Sequence, residues 1–453
     1  NAASYTITNL AGITLADNAG LASNYTLTGG THNFTVNPKV ISLSGSRLYD
    51  ATTDAVASDL TTISGLVGSE TLNLSGTGSV TNANVASNKT VTLGTLALAD
   101  NSGLAANYTL SGGTHQLTIN QRPLAATVAR QYDGTKTAAG SDLSSFDALQ
   151  GGETLTLSGS GTVGDENVAN GQGITLGTLA LVDGTGLASN YSLNSASLNI
   201  TQKTVNLSGS KIYEANTTFD NSIVNISSGL IGSETLNLTG VVNTNSANVN
   251  TYSASGGTLN GGSTSIALAD GTNGGLASNY TINDGVFTIT KKTISVSGAR
   301  LYDATTDAVA SDLTTISGLV GSETLNLSGT GSVTNANVAS NKTVTLGTLA
   351  LADNSGLAAN YTLSGGTHQL TINQRPLAAT VARQYDGTKT AAGSDLSSFD
   401  ALQGGETLTL SGSGTVGDEN VANGQGITLG TLALVDGTGL ASNYSLNSAS
   451  LNI

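Results

Sequence analysis

Apolar and polar residues alternate along this chain in short runs. Within residues 40–122, Ile41 and Leu43 alternate in VISLSG, and Leu72 and Leu74 alternate in SETLNLSG. A period of two predicts half-buried strands. Leu60, Ile63 and Leu66 instead recur every third residue, as do Leu143, Phe146 and Leu149. That spacing predicts a short helix or 3-10 turn, capped by Ser58 or Asp59. In TVTLGTLALAD, Val91 and Leu93 share one phase, and Leu96 and Leu98 the other. The slip at Gly94 predicts a β-bulge or a bend between sheets. NYTL and HQLTINQ are expected to close the unit as a hairpin around Gly112 and Gly113. About six short strands in roughly 80 residues imply a small β-sandwich or a β-grasp-like sheet.

This pattern repeats. Residues 47–200 recur residue for residue as 300–453, and a finer period of roughly 80–90 residues runs inside each block. The expected units are 40–122, 123–203, 204–292, 293–375 (a copy of the first) and 376–453 (a copy of the second, cut short at its end). Residues 1–39 form the tail of a preceding unit. Tyr49, Tyr132, Tyr213, Tyr302 and Tyr385 open units, whereas Tyr25, Tyr108, Tyr191, Tyr280, Tyr361 and Tyr444 close them in an Asn-Tyr motif. All three prolines, Pro38, Pro123 and Pro376, stand at unit junctions, where a strand start tolerates them. No Gly/Ser linker separates the units, so the fold class expected is all-β with a short helical turn per unit: a tandem array forming an extended rod. At ~30–40 Å per unit, the rod would reach on the order of 200 Å. Long identical blocks speak of recent duplication.

Composition narrows the function. Charged residues make up 10% of the chain against the ~25% usual in globular domains, and the net charge is −15. The 15 Lys and Arg are scattered, only Lys291 and Lys292 being adjacent, so no basic face is available for nucleic acid. No apolar run approaches the ~18 residues of a membrane span. Cys is absent, which removes disulfides and thiolate chemistry. Met is absent too and the chain opens inside a repeat, so an internal segment of a longer protein is expected.

The stretch RQYDGTKTAAGSDLSSFDALQGGETLTLSGSGTVGDENVANGQGITLGTLALVDGTGLASNYSL resembles the YDG-type repeat, a relative of the MBG repeats of large bacterial surface proteins. Tyr132-Asp133-Gly134-Thr135 and Tyr385-Asp386-Gly387-Thr388 match its opening motif in full. The other units read Tyr-Asp-Ala, or Tyr213-Glu214-Ala215 in the third. The resemblance covers essentially the whole chain. It implies stalk modules of secreted adhesins, often filamentous-haemagglutinin-like and exported by two-partner secretion in Gram-negative bacteria, with no catalysis.

Candidate chemistry is sparse. GLASNYTL at Gly20 returns in variants at Gly103, Gly186, Gly275, Gly356 and Gly439, each carrying a glycosylation acceptor pattern at Asn24, Asn107, Asn190, Asn279, Asn360 and Asn443. The plainer reading packs the Leu and Tyr inward and lets the Asn bond nearby backbone in a turn. Asp17, Asp100, Asp183, Asp270, Asp353 and Asp436 precede these motifs. One carboxylate per copy suits an Asx turn better than Ca²⁺, which wants six or more oxygens, so no cofactor is expected, with Ca²⁺ the lesser alternative. Glu70, Glu153, Glu234, Glu323 and Glu406 read as solvated turn residues rather than a hydrolase pair. His32, His115 and His368 share one phase without a second His nearby, which excludes a His-pair zinc site or a triad base. Lys89, Lys136 and Lys211 fall out of phase, which removes a repeat-wide Lys–Asn crosslink. The expectation is a non-enzymatic, extracellular stalk that carries a distal binding domain away from the cell for attachment or biofilm formation. Its partners are the neighbouring repeats. The alternative is a matrix filament that self-associates laterally, or a repeat that binds host or matrix glycans or proteins.

Overall fold

The computed structural model describes residues 1–255, 258–259 and 263–453. Contacts divide them into two compact units: Asn1–Lys203 with Ser278–Thr281, and Thr204–Ala277 with Ile282–Ile453. Among the described residues the secondary structure is strand, with only three-residue 3-10 turns between.

The second repeat shows the plan of the first unit. Its opening strand, Arg122–Gln131, lies parallel to its closing strand, Tyr191–Thr201. Leu143–Phe146 and Ala169–Gly173 flank this pair antiparallel, giving a mixed four-stranded sheet. Leu124, Ala126 and Val128 alternate inward on one central strand, and Ala196, Leu198 and Ile200 on the other, all buried. Two parallel neighbours need a long crossover. Here two small antiparallel ribbons supply it in place of a helix: Thr137–Ala139 with Ser160–Thr162, and Leu155–Ser158 with Ala180–Asp183. Parallel first and last strands at the centre of a mixed sheet are the β-grasp-like arrangement.

The first repeat follows the same order, Thr62–Ser64, Ser42–Leu48, His115–Asn120, Ala86–Thr90. Gly94 is where the chain leaves this sheet for its ribbon strand, Ala97–Asp100. Its φ is +55° and an added Cβ would stand 2.5 Å from the Thr77 carbonyl, so the slip in hydrophobic phase is a bend between sheets.

Two expectations are corrected. The segments around Gly112 and Gly113 make no hairpin. Tyr108–Thr109 and His115–Asn120 both pair parallel with the opening strands Lys39–Val40 and Ser42–Leu48, as one interrupted strand. A hairpin would have reversed the chain, but both segments must follow the opening strand to bury Leu117 and Ile119 beside Leu43. The helical spacing of Leu60, Ile63 and Leu66 is also misleading. The 3-10 turn is Ala57–Asp59, and Ile63 already belongs to a strand. Asp59 holds the turn from inside, accepting from the Val56 amide at 3.3 Å.

In the second unit, the fourth and fifth repeats keep the same four-stranded order. The third builds a five-stranded sheet and packs Phe219 edge-on against Phe287, ring centres 5.4 Å apart. Within each unit the apolar core is continuous across repeats: Ile41 through Tyr108 cluster with Leu124, Leu155 and Tyr191, and Leu207 through Tyr361 with Leu377, Leu408 and Tyr444.

Candidate functional site

Among the described residues, no cluster of three or more His, Cys, Asp or Glu could hold a metal. The recurring chemistry lies where one repeat meets the next inside each unit. A single residue, Gln121, separates the closing strand of the first repeat from the opening strand of the second, and Gln374 does the same between the fourth and fifth. With so short a connection, the loops at a strand's end must reach the neighbour.

Tyr49 follows the opening strand of the first repeat, Ser42–Leu48, and its side chain reaches the second. Its hydroxyl donates to Glu153 Oε1 at 2.5 Å, while Tyr191 donates to Oε2 of the same carboxylate at 2.6 Å. The two rings meet edge to face, 5.2 Å apart at 76°. The arrangement returns at Glu323, which takes Tyr213 and Tyr361, and at Glu406, which takes Tyr302 and Tyr444. Tyr132 and Tyr280 make the same ring contact at 5.4 Å. Two neutral donors on one carboxylate form charge-assisted bonds, about twice as strong as neutral ones. Burial, then the hydrogen bond to the shared carboxylate, pushes Tyr191, Tyr213, Tyr302, Tyr361 and Tyr444 up to about 12, and pushes Tyr49 up in the same way. The phenols therefore stay protonated and donating across the neutral range.

A second pair of bonds lies beside each clamp. Asn190 of the second repeat accepts from the Val85 amide of the first at 2.9 Å and donates to Asn84 at 3.1 Å. Asn279, Asn360 and Asn443 hold Val168, Val249 and Val338 in the same way. Asn107 takes Ala2 and Asn1.

The opening motif aims the tyrosine. Asp50 and Asp133 each accept from the amide and hydroxyl of the Thr two residues on, all at 2.9 Å, an Asx turn. Arg47 and Arg130 pair with these carboxylates and reach the same threonines' carbonyls. The turn puts its third residue in the left-handed region: φ is +72° at Gly134, and Ala51, Ala215 and Ala304 stand at 60–64°. Gly belongs there for that reason, and Ala accepts the strain.

These positions sort the sequence candidates. Eight of the tyrosines are brought together in four pairs across junctions; of the others, Tyr108 is buried and bonds Glu70, and Tyr25 and Tyr385 are exposed. The asparagines were expected to bond nearby backbone; they bond the preceding repeat instead. Asn190, Asn279, Asn360 and Asn443 are 0–1% exposed with both ends of the amide engaged, so a sugar on any of them does not fit the folded junction. Asn24 is exposed and Asn107 half-buried. The leucine of the same motif is no core anchor: Leu104, Leu187, Leu357 and Leu440 are 42–45% exposed, because the 3-10 turn that follows points them outward. Asp100, Asp183, Asp353 and Asp436 each accept from the alanine amide five residues on at 2.6–2.7 Å, stapling that turn. Glu153, Glu323 and Glu406 are clamp acceptors rather than solvated turn residues. The signal for them was thin: each stands 38 residues before the tyrosine it holds, but its second partner belongs to another repeat.

The family model described as the YDG domain matches this chain four times, at residues 34–115, 114–200, 287–368 and 367–451. The chain belongs to the YDG domain family. Tandem YDG domains are thus what the opening motif and its repeats build. No curated protein matches the YDG array in sequence. Among solved structures, the N-terminal eight Ig domains of Down Syndrome Cell Adhesion Molecule isoform 1.30.30 align with it at 8% identity over 94% of this chain and 87% of that one. The TM-score of 0.12 carries no argument. No helix of the described residues is long and apolar enough to cross a membrane, which leaves β-barrels aside.

Proposed function

We propose that these YDG domains form a non-catalytic, load-bearing spacer of a secreted bacterial cell-surface adhesin, holding a distal binding domain away from the cell for attachment or biofilm formation. The observation that carries this reading is the junction. One-residue connections, a shared carboxylate and a core continuous from repeat to repeat resist bending and sliding far better than a Gly/Ser linker. Each junction also buries its own polar bonds, through which stability passes between neighbours. Exposed surfaces are rich in Ser, Thr and Asn and poor in charge, which suits an extracellular shaft and leaves little repulsion between neighbouring shafts. Two-partner secretion and a Gram-negative source belong to the same reading through the family's usual company.

Single-molecule stretching of the whole chain tests it. The expected record is a series of separate unfolding events, with peak force falling in Glu153→Ala and Glu406→Ala variants. A chain that lengthens smoothly at low force, without discrete events, is no spacer.

A further inference from the structure

The third repeat builds its opening turn from different residues. In the other repeats an arginine near the end of the opening strand pairs with the Asp of the turn and reaches the carbonyl of a Thr, as Arg47 does with Asp50 and Thr52. Eight residues after that arginine stands a fully buried Ala, such as Ala55. The third repeat changes all four places together, to Lys211, Glu214, Asn216 and Phe219. A primary amine, a carboxylate and a carboxamide now share one site, and Lys211 is only 9% exposed. Its Nζ donates to the Thr218 carbonyl at 2.7 Å, to Glu214 Oε1 at 3.0 Å and to Asn216 Oδ1. The Asn216 side chain hydrogen-bonds the same Glu214 carboxylate. The Thr218 amide donates to Asn216 Oδ1 at 3.1 Å, which polarises the carboxamide carbonyl. Phe219, itself fully buried, holds its ring centre 5.0 Å from Nζ and closes that side to water.

We propose that Lys211 and Asn216 join in an intramolecular isopeptide bond, with Glu214 as the proton shuttle. Glu214 takes a proton from the Lys211 ammonium. The freed amine attacks Cγ of Asn216, and the Thr218 amide stabilises the negative charge that develops on Oδ1. The Nζ–Cγ bond forms, the Cγ–Nδ2 bond breaks, and Glu214 passes its proton to the departing nitrogen. An ammonium and a primary amide thus become a secondary amide and an ammonium ion, with atoms and charge balanced. The hydrogen bond from Lys211 holds the Glu214 carboxyl below its ordinary range, so the resting pair is ionised and proton transfer within it limits the rate. Arginine cannot take the place of the lysine, because its guanidinium stays protonated. A crosslink in every repeat is ruled out by phase; this one belongs to the third repeat alone. It clips the opening strand, Lys203–Ile212, to the loop before Thr218–Asp220 and fixes the turn that carries Tyr213 to Glu323. It goes beyond the spacer reading and does not rest on it.

Mass spectrometry of the full chain, held folded until its mass is constant, tests this. Wild type is expected about 17 Da below the mass of its sequence, the loss of one ammonia, and trypsin should no longer cut after Lys211. Lys211→Arg and Asn216→Ala should both keep the full mass. Lys211→Arg restores the residue that the other repeats carry, so it does not threaten the fold. Glu214→Gln, which keeps the shape and loses the shuttle, should slow bond formation by roughly 10²–10⁴-fold. A wild type of full mass that trypsin cuts after Lys211 overturns the proposal. So does the same mass loss in Lys211→Arg, which would put the lost ammonia at another site. Formation at an unchanged rate in Glu214→Gln removes the carboxylate from the mechanism. None of these results alters the discrete unfolding events expected of the spacer under load.

Discussion

Repeats 1 and 2 share one sheet plan and differ in how the last strand is threaded. In repeat 2 that strand runs unbroken as Tyr191–Thr201, with Asn194 its one surplus residue. In repeat 1, residues 110–114 face only Ile41 and Ser42 and loop away from the sheet. The His of GGTH closes the gap. The Leu43 amide donates to His115 Nδ1 at 3.2 Å, and Nε2–H donates to the Leu110 carbonyl at 2.7 Å. His368 does the same in repeat 4. Buried backbone groups must find partners, so an imidazole, which both accepts and donates, stands in for a missing stretch of ladder. A histidine present in some repeats and absent from others thus marks an insertion, not a ligand.

The largest expected effect ignores this difference and strikes the junction that the two repeats form together. Their phenols titrate above the ordinary value of 10, Tyr191 at about 12. A raised folded value means the folded state holds the proton more tightly. The contribution to stability is therefore complete below pH 10 and is lost as pH climbs from 10 through about 12. Tyrosinate absorbance should rise together with unfolding in that window, and a shallow titration centred at 10 would contradict the clamp.

Next comes Gly113→Ala, confined to repeat 1. Its new Cβ would stand 2.1 Å from the Ile41 carbonyl, so a loss of about 4 kcal/mol is expected in urea unfolding. His115→Ala leaves a buried amide and a carbonyl without partners, for about 3 kcal/mol. Tyr49→Phe removes one bond to Glu153 but keeps the ring, and should cost about 1–2 kcal/mol. Ser195→Ala, exposed in repeat 2 near the place where repeat 1 carries His115, should change stability by less than about 0.5 kcal/mol. Comparable losses for His115→Ala and Ser195→Ala would erase the distinction between the two threadings.

Much of the fold was legible from periodicity. Ile41, Leu43 and Leu72 alternate because one sheet face is buried, and Gly94 shows the bend because the apolar phase slips there. What failed had a common cause. A hairpin and a strand interruption both appear locally as Gly-Gly between apolar runs, and only pairing with the opening strand, more than sixty residues away in sequence, tells them apart. The same holds for the junction. Tyr phase was visible, but Glu153 joins Tyr49 across 104 residues, and Asn190 reaches Val85 across 105. Motif reading treats an Asn-Tyr-Ser or a lone Glu as belonging to its own unit, whereas here half of each site is contributed by another.

That division has an evolutionary reading. Every repeat carries the tyrosine of one clamp at its head and the glutamate of another in its body, always in the same phase. Recombination between any two copies, cut at matching points, therefore rejoins a whole clamp from two halves that never met before. The identical blocks 47–200 and 300–453 are what such an event would leave, and the junctions inside them, Tyr49 with Glu153 and Tyr302 with Glu406, are the same clamp. The junction behaves as a grammar: it lets the array gain or lose repeats without any new interface having to evolve.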